Sequence, residues 1–110
     1  MPTTTEVKWQ TTTEFKASWK KYLAINPQIK KAMSDFNDCK RASPPQRLPS
    51  KMSEHKLDGP LKGYMDCHLD DDIILIYKNL PGGIIKLLLV CRHEDLKGPR
   101  ARTTRKKLGD

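Results

Sequence analysis

The residues best equipped for chemistry in this 110-residue chain are its three histidines, His55, His68 and His93, together with Asp72. An imidazole titrates near neutrality without help from its surroundings, so one ring can take a proton while another gives one. Two such rings beside a phosphate-binding surface suffice for RNA cleavage without a metal. One removes the proton of a 2′-hydroxyl and the other protonates the departing 5′-oxygen. A carboxylate such as Asp72 can hold one ring in its tautomer and favour its charged form. Lys51, Lys56, Lys62, Arg92 and Lys97 lie around the same stretch, and a cation there stabilises charge building on the phosphorus. Each residue also has a plainer reading. A histidine at a strand end is commonly a hydrogen-bonded surface residue, and aspartates 70–72 are good turn formers. The 13- and 25-residue spacings of the histidines match no metal motif, and the chemistry calls for no cofactor.

The elements that must position these groups follow from hydrophobic period. From Gly63 the pattern alternates, with Tyr64, Asp66 and His68 on one face and Met65, Cys67 and Leu69 on the other. Asp70–Asp72 supplies a turn, Ile73–Tyr77 a second strand, Asn79–Gly83 a second turn and Ile84–Val90 a third, nearly all-aliphatic strand. If the three pair antiparallel in sequence order, His68, Asp72 and His93 reach one patch. His55, in a Lys51–Lys62 loop, can fold over it.

The N-terminal half reads as scaffold. Glu6–Gln10 carries Val7 and Trp9 on one face of a short strand. Thr11 stands three residues before Glu14 with capping-box spacing, and Phe15, Trp19, Tyr22 and Leu23 then recur at helical spacing. Asn26-Pro27 stops that helix and suits the start of another, along which Ile29, Ala32, Met33 and Phe36 form an apolar stripe to about Cys39. Two helices with so short a break make a hairpin lying on one face of the sheet. Ala42–Ser50, with its prolines, is a connector.

Twenty-one Lys and Arg against thirteen Asp and Glu leave a net charge of +8. A small domain this basic binds a polyanion or is neutralised by an acidic partner. Cys39, Cys67 and Cys91 are odd in number and widely spaced, which suits reduced thiols, two of them in apolar strands. The N-terminus lacks a signal-peptide pattern, and no apolar run is long enough to span a bilayer. A soluble cytoplasmic protein with no membrane partner is expected. Residues 1–97 form the domain. The basic segment 98–110, nearly devoid of apolar residues, should be flexible or a lone frayed helix.

The string EHKLDGPLKGYMDCHLDDDIILIYK, followed by a strand and RHEDL, resembles the YafQ branch of the RelE/ParE toxin superfamily. That branch carries an H-x-L-x-G-x-W-K-G-Y-R-x-x-H-x-x-x-D-W-x-L-I-Y-K run and a terminal T-H-x-x-L-F. The likeness covers about residues 50–97, and the N-terminal strand and helical hairpin agree with it. It implies an α+β, RelE-like microbial ribonuclease fold, with strand and hairpin packed on a small, mainly antiparallel sheet. It also implies a type II toxin that enters the ribosomal A site and cuts translated mRNA. The implied partners are the ribosome, mRNA and an acidic, DinJ-like antitoxin with a ribbon-helix-helix domain, through which alone operator DNA would be met. The family's active histidines fall on His55, His68 and His93, and its aspartate on Asp72. The sequence departs from the pattern at Leu61, Met65, Ile73 and Lys97, and Arg92 stands where the family has Thr. Met65 removes one phosphate contact, which Arg92 is placed to replace. Two other readings remain open here, a non-catalytic ParE-like gyrase inhibitor and a plain basic nucleic-acid-binding module.

Overall fold

The computed structural model describes residues 8–42 and 47–108. It is α+β, with a five-stranded sheet in the order β1-β5-β4-β3-β2. These strands are β1 (Lys8–Thr11), β2 (His55–Lys56), β3 (Met65–Asp70), β4 (Ile73–Leu80) and β5 (Ile84–Arg92). β3, β4 and β5 pair antiparallel in sequence order, as their alternation predicts, and β1 joins the edge of β5 in parallel. A parallel neighbour needs a long crossover, which α1 (Thr13–Ile25) and α2 (Ile29–Arg41) begin. Gly82 and Gly83 close the β4–β5 turn at φ +85° and +76°, a conformation open to glycine at little cost.

The helical hairpin covers one sheet face. Phe15, Tyr22, Ile29 and Phe36 pack there on Cys67, Leu75, Tyr77, Leu87 and Val90. The edge of Phe36 meets the Tyr77 ring at 5.0 Å between centroids.

Several boundaries differ from those expected. Glu6 and Val7 of the first strand lie outside the described residues, and that strand continues through Thr11, which pairs with Leu87. The cap therefore moves to Thr12, whose Oγ1 accepts from the Phe15 amide at 3.0 Å and donates to the Leu88 carbonyl at 3.0 Å. Glu14 is then out of capping-box register. The second helix begins at Ile29 rather than Pro27, because the Asn26 and Pro27 carbonyls form a tight turn to the amides of Ile29 and Lys30. Of the proline-rich connector, residues 43–46 lie outside the described set. The expected loop at Lys51–Lys62 holds two 3-10 turns, Ser50–Met52 and Gly59–Leu61, with β2 between them.

The largest departure lies at the C-terminal end. Where a flexible tail is expected, α3 (Gly98–Lys107) packs across the face opposite the hairpin. Pro99 in the first turn suits a helix start, and Arg105, Lys106 and Lys107 in the last turn complement its dipole. Ala101, Thr104 and Leu108 are spaced to face inward and are all buried. Ala101 and Leu108 join a second core of Leu61, Tyr64, Ile74, Ile76, Leu88, Leu89 and Cys91. Three small or apolar positions thus suffice to dock a segment that looks wholly polar by composition.

Candidate active site

Alternation along β3 brings Asp66 and His68 to the same face, next to Tyr64. β3 holds an extra residue at Leu69, since pairing with β4 skips from His68 to Asp70. Such bulges re-aim side chains near the end of a strand. Across β3, His55 of β2 stands directly opposite Asp66.

Asp66 is the centre of the arrangement. It is fully buried, and His55 Nδ1 lies 3.0 Å from its Oδ1. The same nitrogen lies 2.8 Å from the Ser53 carbonyl. A ring nitrogen carries one hydrogen, and the geometry aims it at Ser53, so His55 meets Asp66 as a charge whenever the ring is protonated. Neither carboxyl oxygen has a hydrogen-bond donor among the described residues. Burial pushes the Asp66 carboxyl above its usual range, while positive charge on His55, His68 and His93 pulls it back. All three imidazoles therefore act on one carboxyl group.

His93 opens a 3-10 turn, His93–Leu96, directly after β5. Its backbone N–H donates to Asp72 Oδ1 at 3.3 Å, and the Arg92 N–H donates to Asp95 Oδ2 at 3.0 Å. The two aspartates pin the turn, and the His93 ring stands 5.9 Å from that of His68, tilted by 58°. Asp72 thus holds the backbone at His93, where the sequence suggests that it orients an imidazole.

The loop carrying His55 is anchored from the hairpin side. Ser53 adopts φ +46°, an uncommon conformation for a residue with a Cβ. Next to it Glu54 accepts from Lys40 Nζ at 2.6 Å and from the Tyr77 hydroxyl. Lys40 also lies over the Phe36 and Tyr77 rings, at 5.6 and 5.3 Å.

The expected cations are spread over several surfaces. Lys51 shares a groove of about 400 Å³ with His68, Gln28 and Asp70. Lys56 and Lys62 line a different groove with Tyr64 and Asn79. Arg92 faces a third, between α1 and α3, with Lys21 and Lys107. Lys97 is exposed at the start of α3. The structure gathers the histidines and Asp66 but not all five cations.

Asp66 is the residue that sequence reasoning passes over. Its place on the His68 face is legible from alternation, but its burial beside three imidazoles needs the β2–β3 pairing. Burial pushes the Cys67 and Cys91 thiols well above their usual range, which suits inert core residues. Among the described residues no group of three or more His, Cys, Asp or Glu side chains is set to hold a metal ion. None of their helices is long and apolar enough to cross a membrane.

A family described as the bacterial toxin of a type II toxin–antitoxin system, YafQ, matches residues 7–98. A protein of Haemophilus influenzae named as a YafQ toxin is 48% identical over 31 residues, 28% of this chain. That match spans only 30% of the relative's own length. A crystal structure of a histidine-to-glutamine variant of YafQ from Escherichia coli superposes with a TM-score of 0.68 at 22% identity, covering 84% of this chain and 100% of that one. The YafQ chain in an E. coli DinJ–YafQ complex gives 0.64 at 24% identity, with the same coverage. At these identities the structural likeness speaks for the fold.

Proposed function

This chain belongs to the YafQ family of bacterial type II toxins, and from that premise we propose that it is an endoribonuclease that cuts translated mRNA in the ribosomal A site. The observation that carries the proposal is the pair of imidazoles, His68 and His93, 5.9 Å apart beside a buried carboxyl. Rings at that separation can bracket one phosphodiester. One imidazole takes the 2′-hydroxyl proton, and the 2′-oxygen attacks the adjacent phosphorus. The bond to the 5′-oxygen breaks, and the other imidazole protonates that oxygen. The products are a 2′,3′-cyclic phosphate and a 5′-hydroxyl, with one proton taken and one returned. No metal is required for this balance.

His55 and Asp66 set the electrostatics beneath the pair. Asp66 places one buried carboxyl among the three rings, and the protonated member of the pair is the general acid. Asp72 and Asp95 fix the turn that presents His93. Lys51 is the cation of the expected set that shares a groove with His68, and we assign it to the RNA backbone there. Arg92, Lys56, Lys62 and Lys97 extend the positive field that draws in RNA.

The same reading supplies a partner. The E. coli relative is found in complex with DinJ, and an acidic antitoxin segment suits a chain of net charge +8. Trp9, Phe15, Trp19, Met33 and Phe36 line an apolar groove of about 500 Å³ rimmed by Lys30 and Arg41. An amphipathic acidic segment would bury its apolar side there, and operator DNA would be reached through the antitoxin. The site of action is the cytoplasm, where ribosomes are.

The test is primer extension on a reporter mRNA in a translating extract, with and without ribosomes. Wild type should give new cuts that need ribosomes. His68→Ala and His93→Ala should each lose about a hundredfold or more in rate, the usual worth of a general acid or base. Full cleavage by both variants would overturn the mechanism. Cuts on free RNA would keep the chemistry and remove the ribosome.

A further inference from the structure

The matched span of the family ends at residue 98, where α3 begins. This helix is therefore an addition to the fold that the family match covers. Five of its ten residues are Lys or Arg and none is acidic. Two of the five have partners within the protein. Arg105 lies over the Tyr64 ring at 5.2 Å, and Arg100 bonds Glu94 at 2.9 Å. Arg102, Lys106 and Lys107 are exposed, Lys107 at the mouth of the groove between α1 and α3 that Arg92, Glu14, Glu94 and Asp95 also line. At about 1.5 Å rise per residue, Arg102 and Lys106 stand about 6 Å apart on one face.

α3 is also fixed with respect to the histidine cluster. It lies on the sheet face that carries Asp66 and His68, packed on Tyr64 and Ile74. The Thr104 hydroxyl donates to the Asp95 carbonyl at 2.7 Å, and Arg100 reaches Glu94, so the helix is tied to the turn that starts at His93. Exposed cations on a helix tied to the turn that starts at His93 have an evident ligand class, a phosphate backbone.

We propose that α3 is an RNA-backbone-binding element, its exposed face of Arg102, Lys106 and Lys107 neutralising phosphates of the strand held at the histidine cluster. The proposal rests on the nuclease reading for the identity of that strand. A polypeptide suits this face poorly. Arg102, Thr103, Lys106 and Lys107 offer no apolar anchor, and protein segments that fold on binding depend on buried anchors. The apolar groove lies instead on the hairpin side, at Trp9, Trp19 and Phe36. A phosphate backbone needs only positioned cations and gains affinity from released counterions.

The experiment measures binding of the full chain to a short, fully 2′-O-methylated single-stranded RNA, which has no 2′-hydroxyl to react. Fluorescence anisotropy is recorded between about 50 and 200 mM salt. The triple variant Arg102→Gln, Lys106→Gln, Lys107→Gln should flatten the slope of log affinity against log salt by about 2 and weaken binding at least about tenfold at the lower salt. Arg102→Lys keeps the charge and should bind as wild type does. A control triple on the helices, Lys16→Gln, Lys20→Gln, Lys30→Gln, removes the same charge elsewhere and should change the slope by less than half as much. An unchanged slope in the α3 variant, or an equal loss in the control, would overturn the proposal. So would normal RNA binding together with lost binding of polyglutamate, which would make the face a protein-docking surface. Wild type that binds this RNA through α3 yet leaves translated mRNA intact would sink the nuclease reading alone. Wild type that cuts mRNA while the α3 variant binds normally would sink this inference alone.

Discussion

The Asp66 carboxyl lies 3.0 Å from His55 Nδ1, yet neither of its oxygens receives a hydrogen bond from the described residues. Burial without a donor disfavours the ionised carboxyl and raises its pKa, against the pull of charge on the imidazoles. Over the pH range between the unfolded value, about 3.9, and the raised folded value, the folded state keeps a proton that the unfolded state has lost. Stability from this group is therefore present at low pH and lost as pH rises through the folded value. Asp66→Asn should be more stable than wild type at pH 7, by about 1.4 kcal/mol for each tenfold by which burial disfavours ionisation. The gain should vanish below about pH 4. Urea unfolding at both pH values checks this, and a gain independent of pH would rule out ionisation as its source. Cleavage should fall in the same variant, since the carboxyl that faces all three imidazoles is gone.

Asp72 gives a sharper distinction. Its contact is the backbone N–H of His93, which an amide oxygen can accept as well as a carboxylate. Asp72→Asn should keep most of the cleavage rate, while Asp72→Ala should lose about tenfold as the His93 turn loosens. If the carboxylate instead worked by charge on an imidazole, both variants would fall together. Rates of mRNA cleavage for the two variants decide between these roles.

Glu54 is held by Lys40 and Tyr77 next to the residue that turns the chain into His55. The Lys40 and Glu54 side chains are 15% and 22% exposed, so their pairing counts for more than a surface ion pair. Lys40→Met should cost about 2 kcal/mol by stranding Glu54, less than the loss of a partner in a fully buried pair. The double variant with Glu54→Gln should recover part of that, giving a coupling energy of about 1–3 kcal/mol. Additive losses in a double-mutant cycle would show that the two groups stabilise the fold independently.

Much of the sheet was legible because its signals are local. The alternation from Tyr64 to Leu69 and the aliphatic run at Ile84–Val90 set β3 and β5, and the turn ending at Gly83 set the hairpin of β4 with β5. With β4 between them, the end of β3 and the exit of β5 lie close enough for the His68 and His93 rings to meet. What stayed hidden depends on tertiary partners. Capping-box spacing points to Thr11, but its parallel pairing with Leu87 draws it into β1 and leaves the cap to Thr12. Alternation puts Asp66 on the His68 face, but its burial depends on the pairing of β2 with β3. The C-terminal segment reads as solvated because charge dominates its composition, while its docking rests on Ala101, Thr104 and Leu108.

Leu108 is the clearest test of that docking. It is 2% exposed and packs in the core with Leu61, Tyr64, Ile74 and Leu88. Leu108→Ala should cost about 2–4 kcal/mol, the usual loss for a buried leucine. A leucine on a flexible tail would cost no more than about 0.5 kcal/mol. The loss should also reach the active-site turn, because Thr104 bonds Asp95 and Arg100 bonds Glu94. Amide exchange at residues 93–96 should quicken in Leu108→Ala while exchange in the β3–β4 hairpin holds. A small stability change with unaltered exchange would mean that α3 does not brace His93.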